Sequence, residues 1–284
     1  MNLYYAVGGG MGHLTRTAAF FYSFNLNDED FIIIVSSPQA DKILTHKNYI
    51  VVPVELMKNG PLLQQWLSQI IVQYRIKNIY IDTFPAGLYG EWNHFPASTK
   101  YRFFLISRLL NWKKYSGLII SPPHFETTFI LENLDPEQLI VYKELSRKII
   151  FETLKYQPAQ IPAEFTNLIK TTINPIWLIV HSEPQEEVLT LYDHARDISY
   201  AEMVTPTFVI VSPCKFASLQ KDTISFNFYP AYPCFEKAHK IFTACGFNAM
   251  QQTVNFRHKH VFIPFERRFD DQFLRANFRK ESNS

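Results

Sequence analysis

The sequence predicts an α/β protein made of two parallel-sheet units in tandem, on three observations. Short apolar runs recur along the chain with helix-like segments between them. The runs are apolar on both faces, as strands of a parallel sheet covered by helices are. The alternation breaks around residues 155 to 175, in KYQPAQIPAEFTN, and then restarts.

In the first half LYYAV, DFIIIVSS, YIVVPV, NIYIDTF, YRFFLIS and SGLIIS read as strands. GHLTRTAAFFYSF, PQADKILTH and PLLQQWLSQIIVQYRI lie between them as helices. In the last of these Leu63, Leu67, Ile70, Ile71 and Tyr74 recur at helical spacing, so one face packs on the sheet. The stretch KYQPAQIPAEFTN carries two prolines and no strong periodicity, which suits an interdomain connection. In the second half PIWLIVHS reads as a strand, EEVLTLYDHARDI as a helix, and TFVIVSP and ISFNFYP as strands. CFEKAHK follows as a short helix, IFTAC as a strand, GFNAMQQTV as a helix, HVFIPF as a strand and DDQFLRANFRK as a helix. The expected organisation is a domain over 1–155, a linker over 156–174 and a second domain over 175–284, hinged at the linker, with a deep central cleft.

Composition narrows the function classes. A chain of 284 residues suits two medium domains or one large one. The balance of 28 basic and 26 acidic residues argues against a nucleic-acid-binding surface. Cys214, Cys234 and Cys245 are too few and scattered for a disulfide framework, and none forms a CxxC pair, so they read as reduced thiols of a cytoplasmic protein. No apolar run reaches the roughly 18 residues that cross a bilayer, and the N-terminus lacks the pattern of a secretory signal. The 25 Phe and 15 Tyr are a bias without a functional reading.

Chemistry concentrates at LYYAVGGGMGHLTRT. The chain has nine glycines, and Gly8, Gly9, Gly10 and Gly12 fall in this turn. A strand that meets a glycine turn and then a helix gathers unpaired N–H groups and a positive helix end at one point. Glycine lets an anionic or strongly polar ligand approach the backbone there. The pattern is neither GxGxxG, since His13 takes the sixth place, nor a P-loop, since no GK[ST] follows. His13 would sit at the helix N-terminus and the carboxyl end of the first strand, where open α/β sheets bind ligands. The helix dipole favours its neutral form, which can accept a proton. On position alone a catalytic base and a capping or solvent-facing histidine stand even. Gly246 is the only glycine after residue 117, again at a strand-to-helix passage, and is expected to need positive φ or close approach by a ligand.

These pieces resemble glycosyltransferases of the GT-B architecture, α/β enzymes with two facing Rossmann-like domains and a central cleft. In pattern the chain is similar to the family 28-like branch that contains the peptidoglycan N-acetylglucosaminyltransferase and the diacylglycerol glycosyltransferases. The first turn matches as GGGMGHLTR with Gly12, His13 and Arg16; an Asp-x-Phe-Pro segment matches as IDTFPAGLYGE with Asp82; a strand-end Arg matches as Arg108 in FLISRLL. The second half matches as FYPAYPCFEKAHKIFTACGFNAMQQT, then VFIPFERRFDDQFLRA with Asp270, Gln272, Arg275 and Ala276. The order and spacing hold over nearly the whole chain.

The resemblance implies transfer of a hexose from a nucleotide sugar, UDP-type, to an unidentified acceptor, with no metal and no cofactor. The donor would be held by Gly246, Phe247, Asn248, Gln252, Arg267, Asp271 and Gln272. The acceptor would meet a turn of Gly9, Gly10, Gly12, Arg16 and Arg108, with His13 as base and Asp82 as a second acid. The protein would be cytoplasmic, with peripheral contact at the inner membrane face left open. Departures on the donor side favour the alternative of a glycosyltransferase-like binding or partner protein with a decayed donor site. Gln252 replaces a ribose-gripping Glu, Ala238-His239 replaces Ala-Asp, and the glycine loop after the second domain's first strand is HSEPQEE, with Glu183, Glu186 and Glu187. An epimerase reading is weaker for want of its acids. His258 and His260 in FRHKH, with His239, read as a solvated basic loop before a metal site. Arg267 and Arg268 could pair with phosphates or with Asp270 and Asp271. His181 and Ser182 lack the elbow of a hydrolase.

Overall fold

The computed structural model describes residues 1–37, 40–45, 48–95, 101–182, 184–216 and 223–281. The chain divides into two compact units, Met1–Tyr156 with Arg267–Asp271, and Gln157–Glu266 with the chain from Gln272 onward. Each has its own parallel sheet, so the architecture is α/β with two Rossmann-like units, as the alternation of the sequence predicts.

The first unit's seven strands are β1 (Asn2–Ala6), β2 (Phe31–Val35), β3 (Tyr49–Val51), β4 (Asn78–Asp82), β5 (Arg102–Ser107), β6 (Phe125–Ile130) and β7 (Ile149–Phe151). They run in the order β3-β2-β1-β4-β5-β6-β7, all parallel. The helices are α1 (Gly12–Ser23), α2 (Gly60–Gln73), α3 (Trp112–Tyr115) and α4 (Pro136–Leu145). The strand order turns between β1 and β4, the kind of position at which open α/β sheets bind ligands. All five residues of β2, FIIIV, are buried, the pattern of a strand covered on both faces. The aromatic bias of the chain is core packing. Phe21 lies 4.7 Å from Phe31, Tyr80 4.6 Å from Phe104 and Phe24 5.1 Å from Phe129, ring centre to ring centre.

Several first-unit expectations need correction. SGLIIS holds only a 3₁₀ turn, Ser116–Leu118, and no strand. PQADKILTH holds a 3₁₀ turn at Ala40–Lys42, while Pro38, Gln39 and His46 lie outside the described residues. β6, FETTFI, carries three polar residues in succession and β7 has only three residues, so neither stood out as an apolar run.

The second unit's strands are β8 (Ile176–Val180), β9 (Thr207–Val211), β10 (Thr223–Phe226), β11 (Lys240–Ala244) and β12 (His260–Ile263), all parallel in the order β10-β9-β8-β11-β12. Its helices are α5 (Ala163–Thr171), α6 (Gln185–Ala201), α7 (Phe247–Gln252) and α8 (Gln272–Glu281). One face of the sheet buries Ile176, Leu178, Val209 and Ile241 with Phe165 and Leu168 of α5. The other buries Trp177, Ile179, Phe208 and Phe242 with Val188, Leu191 and Ala195 of α6. The stretch read as an interdomain connection thus runs into α5, whose Phe165 and Leu168 are buried in this core with Ile169 packed against it. CFEKAHK is not a helix; a 3₁₀ turn at Tyr232–Cys234 seats Cys234 and Phe235 in the core.

The loop after β4 is organised around one carboxylate. Glu91 is fully buried and accepts from the Tyr5 hydroxyl at 2.5 Å, Leu88 N at 3.0 Å and Tyr89 N at 2.7 Å. Burial raises its pKa above the usual carboxylate value, against the pull of these donors. Between the unfolded and folded values the native state holds the extra proton, so this group's contribution to stability falls as pH rises through that window. Glu91→Gln is expected to flatten that dependence in urea titrations yet destabilise the protein by about 1–3 kcal/mol, because its NH₂ must face a buried backbone donor.

Candidate active site

β1 and β4 are neighbours in register, with Tyr5 opposite Ile81, so the residues just past their carboxyl ends meet. α1 opens at Gly12 without a side-chain cap, placing His13 in its first turn. Asp82 is the last residue of β4. His13 Nδ1 lies 2.6 Å from Asp82 Oδ2, and both side chains are almost completely buried. Arg16, one turn along α1, grips the same carboxylate twice, Nε to Oδ1 and Nη2 to Oδ2, each at 2.6 Å. Its Nη2 also donates to Thr83 Oγ1 at 2.7 Å and lies 3.0 Å from His13 Nδ1. A carboxylate only accepts, so His13 donates from Nδ1 and Nε2 carries the lone pair.

Electrostatics fit that assignment. Burial, first of all, lowers the His13 pKa from the ordinary imidazole value; Arg16 and Arg108 push the same way, and the hydrogen bond and charge of Asp82 oppose them. Burial alone would raise Asp82, but Arg16 and the His13 hydrogen bond outweigh it and hold the carboxyl well below the usual range. His13 is therefore neutral and Asp82 ionised near pH 7.

The glycine turn serves the histidine as well as any ligand. A Cβ at Gly8 would fall on the His13 ring, Nε2 first. Ser36 Oγ holds this residue, accepting from Gly8 N at 3.0 Å and donating to Gly8 O at 2.6 Å. Gly9 is exposed with open space beside its Cα, and Gly10 has φ +69°. On the other side, Arg108 follows β5 and pairs with Asp270. Gln138 of α4 anchors the Arg108 carbonyl at 2.9 Å. Phe269 packs on Phe84 and Tyr115 at 5.9 and 5.2 Å, and its carbonyl accepts from Asn111 N at 2.7 Å. Arg268 lies over the Phe269 ring at 4.4 Å. The segment holding Arg267 and Asp271, assigned to the donor by resemblance, thus belongs to the first unit.

In the second unit Gly246 sits between β11 and α7 with φ −67°, so the expected positive φ is absent. The space that a side chain would fill at this glycine is open. Phe247 is buried, and Asn248 and Gln252 are half-buried on α7. Gln272 is buried, its Oε1 accepting from Phe265 N at 3.0 Å, and Arg275 holds the Cys245 carbonyl, just before Gly246, at 2.9 Å. In HSEPQEE, Glu187 pairs with His181 Nε2 at 2.7 Å, and Glu186 shares the first turn of α6 with it; Glu183 lies outside the described residues. His239 Nδ1 accepts from Ile176 N at 3.1 Å. His258 lies in the 3₁₀ turn before β12, so it shares no strand face with His260. His260 is not solvated: it bonds Thr243 at 2.9 Å, and burial together with Arg279 lowers its pKa to about 3. No three His, Cys, Asp or Glu side chains cluster as metal ligands among the described residues.

The sequence reading thus named His13, Asp82, Arg16 and Arg108, which the fold brings together, and missed Gly8, Ser36 and Thr83. Gly8 was visible as part of the cluster; Ser36, which bonds Gly8, and Thr83, which accepts from Arg16, leave no sequence signal.

No family model matches the chain, and no curated protein matches it in sequence. Solved structures match in fold. The spinosyn forosaminyltransferase SpnP superposes with a TM-score of 0.66 at 10% identity, covering 99% of this chain and 83% of its own. The glycosyltransferase SsfS6 of Streptomyces sp. SF2575, complexed with thymidine diphosphate, gives 0.57 at 9% identity, covering 93% and 82%. MnaA of S. aureus with UDP gives 0.59 at 8% identity, covering 86% and 74%. At these identities the similarity establishes the fold, the GT-B type of two Rossmann-like units. Among the described residues no helix is long and apolar enough to cross a membrane.

Proposed function

We propose that the protein transfers a hexosyl group from a pyrimidine nucleoside-diphosphate sugar to an acceptor hydroxyl, with His13 as the base. The observation that carries this is the buried His13–Asp82 pair at 2.6 Å, with Nε2 turned to the glycine turn. Nε2 takes the hydroxyl proton while the acceptor oxygen bonds to the anomeric carbon. The bond from that carbon to the diphosphate breaks, and its electron pair leaves with the nucleotide. Asp82 steadies the imidazolium that forms. No metal enters this scheme. The fold neighbours complexed with thymidine diphosphate and UDP support a pyrimidine nucleotide, and the three free cysteines fit a cytoplasmic setting.

The donor diphosphate lies against the open side of Gly246 in this scheme. Gly246→Val puts a branched side chain there at a φ and ψ that valine adopts readily, so calorimetry is expected to show weakened nucleotide binding with the fold retained. Binding equal to the parent's would move the donor elsewhere. A panel of nucleoside diphosphates and nucleotide sugars tests the function as a whole. A true ligand at 100 times its Kd raises stability by about 2.7 kcal/mol, and turnover of the stabilising donor then completes the assignment. Glu186 and Glu187 at the start of α6, with Gln252, favour a second reading, a binding protein on the same fold whose donor site has decayed. Ligand stabilisation without any turnover would select it.

A further inference from the structure

We infer that Arg16 and Thr83 are positioning residues that together keep His13 uncharged with its proton on Nδ1. The inference rests on the proposed role of His13 as base and says what makes it one.

The first argument counts hydrogens. Arg16 Nη2 has two. Acceptors at 2.6 Å, Asp82 Oδ2, and at 2.7 Å, Thr83 Oγ1, use both. None is left for His13 Nδ1 at 3.0 Å, which must supply its own hydrogen to Asp82 Oδ2. Thr83 is placed for this at a cost. Its φ is +74°, rare for a β-branched residue, inside a γ-turn closed by Phe84 N to Asp82 O at 2.9 Å. Thr83 N donating to Ile106 O at 2.8 Å pins the turn to β5. Backbone strain of this kind persists where the surroundings over-determine it, often at functional sites.

The second argument counts charge. In a histidine–carboxylate pair alone, protonating the ring neutralises a buried anion and is favoured. Here Arg16 already neutralises Asp82, so a second proton would leave a net buried cation. The groups facing this cluster within the first unit are Asp82 of β4, Arg16 of α1 and Arg108 after β5, itself paired with Asp270; Tyr4 of β1 is buried beside Arg16 and stays neutral. Arg16 thus denies His13 the proton that Asp82 would otherwise attract.

The test is an NMR titration of the ring nitrogens in protein carrying ¹⁵N-histidine, with His13 assigned through His13→Gln. The parent ring is expected to carry its proton on Nδ1 at pH 7 and to titrate below the ordinary imidazole range. Arg16→Gln keeps a donor but removes the charge, and should raise the midpoint by about one to three pH units; Arg16→Lys should not. Thr83→Gly suits the positive φ and lacks the hydroxyl, so the fraction protonated on Nε2 should rise, and Thr83→Ser should reverse this. A parent ring protonated on Nε2, or titrating at or above the ordinary value, overturns the inference whether or not any variant folds. An unchanged midpoint in Arg16→Gln overturns the charge argument, and an unchanged tautomer in Thr83→Gly overturns the hydrogen count. Neither donor nor acceptor is needed, so this outcome is independent of whether the protein proves to be a transferase.

Discussion

His13→Ala is expected to lower turnover by about 10² to 10⁴, the usual contribution of a positioned general base. Three features set the expectation. The ring is fixed by the 2.6 Å bond to Asp82. Desolvation keeps it neutral, so the base form is already present at pH 7. Its Nε2 faces the turn that carries Gly9, where the backbone is open. Donor affinity should be nearly unchanged, because the residues proposed to hold the diphosphate lie in the second unit. The pH profile carries the sign of the shift. The base works unprotonated, so kcat/KM falls as pH drops through the free-enzyme pKa of His13, and the lowered value puts that limb below the ordinary imidazole range. Turnover of the variant within a few-fold of the parent, with chemistry rate-limiting, would defeat the assignment and leave the turn as a backbone feature alone.

How much of this was legible in the sequence follows from what each residue reports locally. FIIIV, IWLIV and TFVIV announce their strands because a parallel strand is covered on both faces and so reads as a nearly continuous apolar run. FETTFI hides its strand, since three successive polar residues mask the period. α5 hides because it is short and follows two prolines, although Phe165, Leu168 and Ile169 pack on the core at helical spacing. The site divides the same way. His13 and Arg16 share one helix turn, and Asp82 ends an obvious strand, so their meeting could be expected from topology. Thr83 could not: its role depends on a φ of +74° that no propensity favours. Gly246 misled in detail, because a rare glycine suggests a positive φ, and this one has φ −67° with open space beside it.

Gly8→Ala is expected to disable the site nearly as completely as removal of the histidine, although one methyl is all it adds. The Cβ would overlap the imidazole at Nε2, the atom that takes the proton. Gly8 has little freedom to retreat, since Ser36 Oγ bonds both its N–H and its carbonyl. The ring has little freedom either, since turning it away breaks the bond to Asp82 and brings Nδ1 against the Arg16 guanidinium without its acceptor. A catalytic group misplaced by about 1 Å loses on the order of 10² in rate, and turnover should fall by at least that. The same overlap should lower thermal stability, whereas Gly9→Ala, with nothing near its Cα, should not. The decisive measurement is a double-mutant cycle. With His13 already Ala there is no ring to strike, so Gly8→Ala should cost neither further turnover nor further stability in that background. Losses that simply add would mean that Gly8 serves the ligand and not the histidine.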